Sequence, residues 1–141
     1  MKISILSFSI KGCILSDKIE VYLEEEGHSV FAYALEKFAA VAGKIPFQRL
    51  EVVTARIFYE TDAIIFIGSC ETAVRTITPF LRSKVVDPAV VVLDEEGTNV
   101  IALLSGQKVT ANELGYSLAD QLNANPVITS GSPIAGVFSV E

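Results

Sequence analysis

The stretch DAIIFIGS, Asp62 to Ser69, carries an unbroken apolar run from Ala63 to Ile67 and then turns at Gly68. A strand with one wet face alternates polar and apolar residues. A continuous run of this length reads as a strand covered on both faces, as in a parallel sheet with helices on either side. The neighbouring sequence supports that reading. KISILSFS (Lys2 to Ser9) is a first strand, and Lys11 to Glu26 a helix with Leu15, Ile19, Tyr22 and Leu23 on one face. Gly27 stands at a helix C-cap, and a second strand runs from His28 to Leu35. Pro46 is placed at the first position of a helix that carries Phe47, Leu50, Val53, Thr54 and Ile57 at helical spacing. A further helix spans Cys70 to Ile77. Thr78-Pro79 breaks it, because the residue before proline avoids helical dihedrals, and a short helix restarts through Lys84.

After the turn at Asp87-Pro88, AVVVLDEEGTNVIALL (Ala89 to Leu104) reads as a hairpin around Asp94 to Gly97. A helix follows Thr110, then a short strand, Pro126 to Thr129, and an edge strand from Ala135 to Val140. The alternation predicts a single α/β domain over residues 1–141. Its mainly parallel sheet is flanked by helices in a Rossmann-like three-layer arrangement and carries one antiparallel hairpin.

Composition narrows the function. The formal net charge of −6 argues against a nucleic-acid binder, which needs a basic patch for phosphates. The apolar runs fall far short of the ~20 residues of a membrane span, and the N-terminus reads as a strand rather than a leader. Cys13 and Cys70 form neither a metal pattern nor a disulfide framework, so a reduced, cytoplasmic protein is expected. The 50% hydrophobic content leaves room for a homo-oligomer.

Ligands of open α/β sheets bind beyond the carboxyl ends of the strands. Four loops are expected there: Ser7 to Lys11, Gly68 to Thr72, Ser105 to Thr110, and Thr129 to Pro133. Gly68 to Thr72 and Ser105 to Gln107 are expected to converge on one crevice. None carries a dinucleotide or triphosphate fingerprint, and the single histidine, His28, opens a strand on the opposite edge, which argues against a Ser-His-Asp triad. Ser69 and Thr110 are candidate helix caps. Thr110-x-x-Glu113 is a capping box, bracketed by Val109 and Leu114 as a hydrophobic staple. Beyond the caps, Gly68, Ser69, Cys70 and Arg75 are substrate-binding candidates around a helix N-terminus that favours a carboxylate; the alternative for Arg75 is a bridge to Glu71. Ser105, Gly106, Gln107 and Asn112 are further candidates, because the cap does not require them. Asp94, Glu95 and Glu96 read as a solvated acidic turn.

Asp62 to Thr129 carries, in order, V-R-x-I-x-P-x-L (Val74 to Leu81), D-P-A-V-V-V-x-D-E-x-G (Asp87 to Gly97), L-L-S-G (Leu103 to Gly106) and A-N-E-L (Ala111 to Leu114). With these motifs it resembles the N-terminal region of the cobalt-precorrin-5A hydrolases, the CbiG family of anaerobic cobalamin biosynthesis. It implies opening of the ring-A lactone of a cobalt-corrinoid with release of acetaldehyde. The ligand would be an anionic tetrapyrrole, with cobalt present only as part of the substrate and no separate cofactor. Two departures stand out. The family loop S-G-H-x-G-G-A-N is here Ser105-Gly106-Gln107-Lys108-Val109-Thr110-Ala111-Asn112, and Gln107 is no base near neutral pH. Family members also continue into middle and C-terminal domains that the 141 residues do not include. The alternative expectation is therefore a non-catalytic tetrapyrrole-binding or partner module that completes a C-terminal domain on another chain.

Overall fold

The apolar run forms β4 (Ala63–Ile67), and all five of its residues are buried. The computed structural model describes residues 1–106 and 110–130. In chain order the other elements are β1 (Lys2–Ser7), α1 (Ile10–Glu25), β2 (Ser29–Leu35), α2 (Glu36–Ala42), β3 (Ile45–Phe47), α3 (Leu50–Ile57), α4 (Cys70–Ile77), β5 (Ala89–Leu93), β6 (Asn99–Leu104), α5 (Ala111–Leu122) and β7 (Asn125–Val127). Among the described residues the strands form one sheet in the order β3-β2-β1-β4-β5-β6-β7. The first five run parallel; β6 pairs antiparallel with β5, and β7 pairs parallel with β6.

Alternation along each strand separates two cores. Ile3, Ile5, Ile65, Ile67 and Val91 face α1 and α5, meeting Leu15, Ile19, Leu114 and Leu118. Leu6, Ile64, Phe66, Val90 and Val92 face α3 and α4, meeting Val53, Ile57, Ala73 and Ile77. Burying one such side chain stabilises by roughly 1.5–3 kcal/mol, so two dry faces explain why β4 tolerates no polar residue. Local signals end the helices. Ser9 Oγ accepts from Gly12 N at α1, and Gly27, at φ 91°, lets the chain turn back into β2.

Two expectations need correction. Pro46 lies in β3, not in a helix. β3 pairs only with β2, and on an edge strand the missing proline N–H leaves one side of the ladder unaffected. The following helix starts at Leu50 instead. After α4 the chain makes only a 3-10 turn, Thr78–Phe80, because Leu81 is already extended. The strand expected over Ala135 to Val140 lies outside the described residues. The hairpin is as expected. Its turn is held by Asp94 Oδ1, which accepts from Thr98 N at 3.1 Å and Asn99 N at 2.6 Å, with Gly97 at φ 70°. No helix among the described residues is long and apolar enough to cross a membrane.

Candidate functional site

The chain after β1 moves toward β2 and β3, and the chain after β4 moves toward β5 and β6. The sheet therefore changes direction between β1 and β4, and at their carboxyl ends the two outgoing loops part and leave a crevice. Phe8 and Ser9 follow β1 there and Gly68 and Ser69 follow β4, with the Phe8 ring close to Gly68. Ser69 caps α4 by accepting from Thr72 N at 3.1 Å, and its hydroxyl donates to Thr72 Oγ1 at 2.9 Å. Gly68 N donates to Leu93 O at 2.8 Å, which fixes the turn to β5.

Beyond the turn, α4 presents Cys70, Glu71, Val74 and Arg75 to an open recess of about 630 Å³ that continues to Thr78 and Pro79. Arg75 Nε donates to Glu71 Oε2 at 3.2 Å, and both side chains are more than three-quarters exposed. An exposed pair at this spacing contributes only a few tenths of a kcal/mol. The guanidinium can exchange Glu71 for a ligand carboxylate at little cost. Cys70 is half-buried against the α3/α4 core.

The acidic turn is not simply a solvated face. Glu95 Oε2 accepts from Ser9 Oγ, and Glu96 pairs with Lys11 at 2.6 Å. The Glu96 hydrogen bond and charge hold the Lys11 ammonium above its ordinary pKa. One carboxylate of the hairpin thus already occupies the N-terminus of α1, and α4 offers the opening turn without such a partner in the acidic hairpin. Sequence spacing carried no signal for this, since Ser9 and Glu95 are brought together only by the placement of β5 beside β4.

Among the described residues, the crevice expected to be shared by Gly68–Thr72 and Ser105–Gln107 does not form. The hairpin reverses the chain, so β6 ends beside the start of β5, with Leu104 opposite Val90. Ser105 and Gly106 therefore lie at the amino end of the parallel strands, opposite to Gly68, Ser69, Cys70 and Arg75. β7 runs the same way as β6, so Thr129 and Ser130 also lie at the amino end. The described residues of the four loops therefore divide between the two ends of the sheet. At the amino end, Asn112 Nδ2 donates to Ser130 O at 2.9 Å and ties the start of α5 to the segment after β7. A Cβ on Gly106 would meet Ala89 N at 2.4 Å, so this glycine has a packing reason. Gln107 and Val109 lie outside the described residues.

Thr110 caps α5 as expected, its Oγ1 accepting from Glu113 N at 3.1 Å. Thr110→Ala should lower stability by about 1 kcal/mol, and Thr110→Gly by only a few tenths. Urea midpoints of the two variants check this; equal losses would show that the hydroxyl bond is not what holds the turn. Among the described residues no cluster of three or more His, Cys, Asp or Glu is placed to hold a metal ion.

Comparison with known proteins adds the family. The model of a family described as cobalamin synthesis G N-terminal matches residues 52–132. The chain is 47% identical over 93 residues to cobalt-precorrin-5A hydrolase of Salmonella typhimurium, covering 65% of this chain and 26% of that protein. It is 44% identical over 85 residues to the protein of the same name from Priestia megaterium, covering 60% and 23%. A crystal structure of a cobalamin biosynthesis protein G homolog from Sulfolobus solfataricus superposes with a TM-score of 0.72 at 29% identity, over 95% of this chain and 38% of that one. The chain spans about a quarter of the length of the curated relatives.

Proposed function

The chain belongs to the cobalamin synthesis G N-terminal family, and from that premise we propose that it serves cobalamin biosynthesis by holding a carboxylate-bearing cobalt-corrinoid for cobalt-precorrin-5A hydrolysis. In that reaction the ring-A lactone opens and a two-carbon fragment leaves as acetaldehyde. The cobalt enters with the substrate.

The observation that carries the placement is the direction change between β1 and β4, with the N-terminus of α4 opening on its carboxyl side. The first turn of α4 leaves backbone N–H groups without helical acceptors, and Ser69 satisfies one of them. Negative charge is favoured there, and Arg75 adds a planar donor suited to a carboxylate. Gly68, Ser69, Cys70 and Arg75 form this site in our reading. Ser105, Gly106 and Asn112 belong to the other end of the sheet, where Gly106 packs against the start of β5 and Asn112 ties down the segment after β7. Gln107 stands in the same family loop.

Two measurements test the reading. The first is acetaldehyde release from cobalt-precorrin-5A, by the chain alone and with the remaining domains of a relative added. Release in either case supports a hydrolase domain. Binding without release in both favours the second reading, a tetrapyrrole-binding module that completes domains on another chain. The second measurement is affinity for an anionic corrinoid as salt rises. Wild-type binding should weaken with salt, and Arg75→Ala should weaken it by about two- to fivefold at low salt, as fits an exposed charge contact. If Asn112→Ala lowers affinity and Arg75→Ala leaves it unchanged, the ligand lies at the amino end and the placement is wrong.

A further inference from the structure

Gly68 has no conformational reason to be glycine, because its φ lies outside the left-handed region that Gly27, Gly43 and Gly97 occupy. Its reason is contact. A Cβ at Gly68 would stand 3.3 Å from Phe8 Cδ2 and 3.5 Å from Cε2, and among the described residues no other comes within 4 Å apart from its chain neighbours. The Phe8 ring therefore lies against the backbone of the β4–α4 turn. On its other side it meets Phe47 edge-on, with ring centroids 5.8 Å apart and planes at 79°. Phe47 is buried, whereas Phe8 is only half-buried. Phe8 is thus a supported aromatic ring with part of its surface open at the carboxyl ends of β1 and β4.

We propose that Phe8 is the apolar platform on which the corrinoid ring system rests, and that Gly68 is a positioning residue acting through it. The inference rests on the carboxyl-end reading given above. A corrinoid has a broad, largely apolar face and a rim of carboxylates. Binding sites for such molecules combine an apolar wall with a few polar groups that orient the rim. Phe8 supplies the wall beside the α4 turn. A side chain at residue 68 would displace the ring by a few tenths of an ångström.

The test is calorimetric titration with cobyrinic acid, a stable cobalt corrinoid polycarboxylate. Phe8→Ala should weaken binding by about tenfold, as loss of an aromatic contact does, and by the same factor at low and moderate salt. Phe8→Leu keeps the apolar volume and the fold but not the flat face, and should lose roughly threefold. Gly68→Ala should also lose roughly threefold alone and nothing further in the Phe8→Ala background, because the two changes act through one ring. Val53→Ala, a truncation in the same core, should lower stability and leave affinity unchanged. The proposal falls if Phe8→Ala and Phe8→Leu bind like wild type, if Val53→Ala weakens binding equally, or if the effects of Gly68 and Phe8 simply add. Absence of wild-type binding would overturn the ligand reading and the platform with it. Wild-type binding that is indifferent to Phe8 would overturn the platform alone.

Discussion

Replacing Gly106 by alanine should lower the stability of the fold by about 3 kcal/mol, the upper part of the range for overpacking. The added Cβ would stand 2.4 Å from Ala89 N, 2.9 Å from the Pro88 carbonyl carbon and 3.1 Å from Ala89 Cα. All three are backbone atoms, so no side chain can swing aside. Ala89 N donates to Asp62 O at 3.0 Å, and Ala89 opens the interior strand β5. Relieving the clash means moving either the start of β5 or the end of β6. Gly115→Ala is the matched comparison. There the Cβ would meet only Ile128 Cδ1 at 3.5 Å and Ala102 Cβ at 3.7 Å, which is ordinary contact. Alanine inside α5 should stabilise by about 0.5–1 kcal/mol, because glycine loses more backbone freedom on folding. Urea denaturation of both variants decides the matter. If Gly106→Ala keeps the wild-type midpoint and lowers only corrinoid affinity, the glycine serves a ligand and the packing account is wrong.

The parts of this fold legible in the sequence are those whose cause lies within a few residues. Ser69 and Thr110 were readable as caps because acceptor and donor are three positions apart. Gly27 was readable from the helix it ends, and β4 from its own unbroken apolar run. The hairpin is readable too, but its effect on the later strands is not local. An antiparallel step sends every following strand end to the opposite side of the sheet, which separates Ser105 and Gly106 from Gly68 and Ser69. Pro46 was misplaced because its tolerance in β3 depends on that strand being an edge, a property of sheet order. The candidate site was legible at Gly68, Ser69, Cys70 and Arg75, which share one turn and its helix. Phe8 and Glu95 were not. Phe8 reaches Gly68 across a strand pairing, and Glu95 reaches Ser9 over 86 positions of chain. Neither distance leaves a periodic trace.

The same limit hid Lys44, and substituting it should have the second large effect. Gly43, at φ 68°, ends α2 and aims Lys44 back at α1. There the ammonium pairs with Asp17 and Glu20, and the Lys44 side chain is only 2% exposed. Ser16 Oγ donates to Glu20 Oε2 at 2.8 Å and completes the cluster. Burial alone pulls the Lys44 pKa down, but the hydrogen bonds and charges of Asp17 and Glu20 together hold it above the ordinary lysine value. Lys44→Met keeps most of the stem packing and removes the charge. Removing one partner of a buried pair costs about 3–5 kcal/mol. Asp17 is 64% exposed and can turn to water, so about 2 kcal/mol is expected here. The pH dependence follows from the raised pKa. Protonated Lys44 stabilises the folded state fully below the unfolded lysine value, about 10.4, and that contribution disappears as pH rises through the higher folded value. The wild-type urea midpoint should therefore exceed that of Lys44→Met by a constant margin from neutral pH to about pH 10, and the margin should close above that. Taking the difference between the two proteins removes the tyrosines and other lysines that titrate in the same range. A margin that is absent at neutral pH, or that persists unchanged to pH 12, would show that the Lys44 ammonium does not hold α2 to α1.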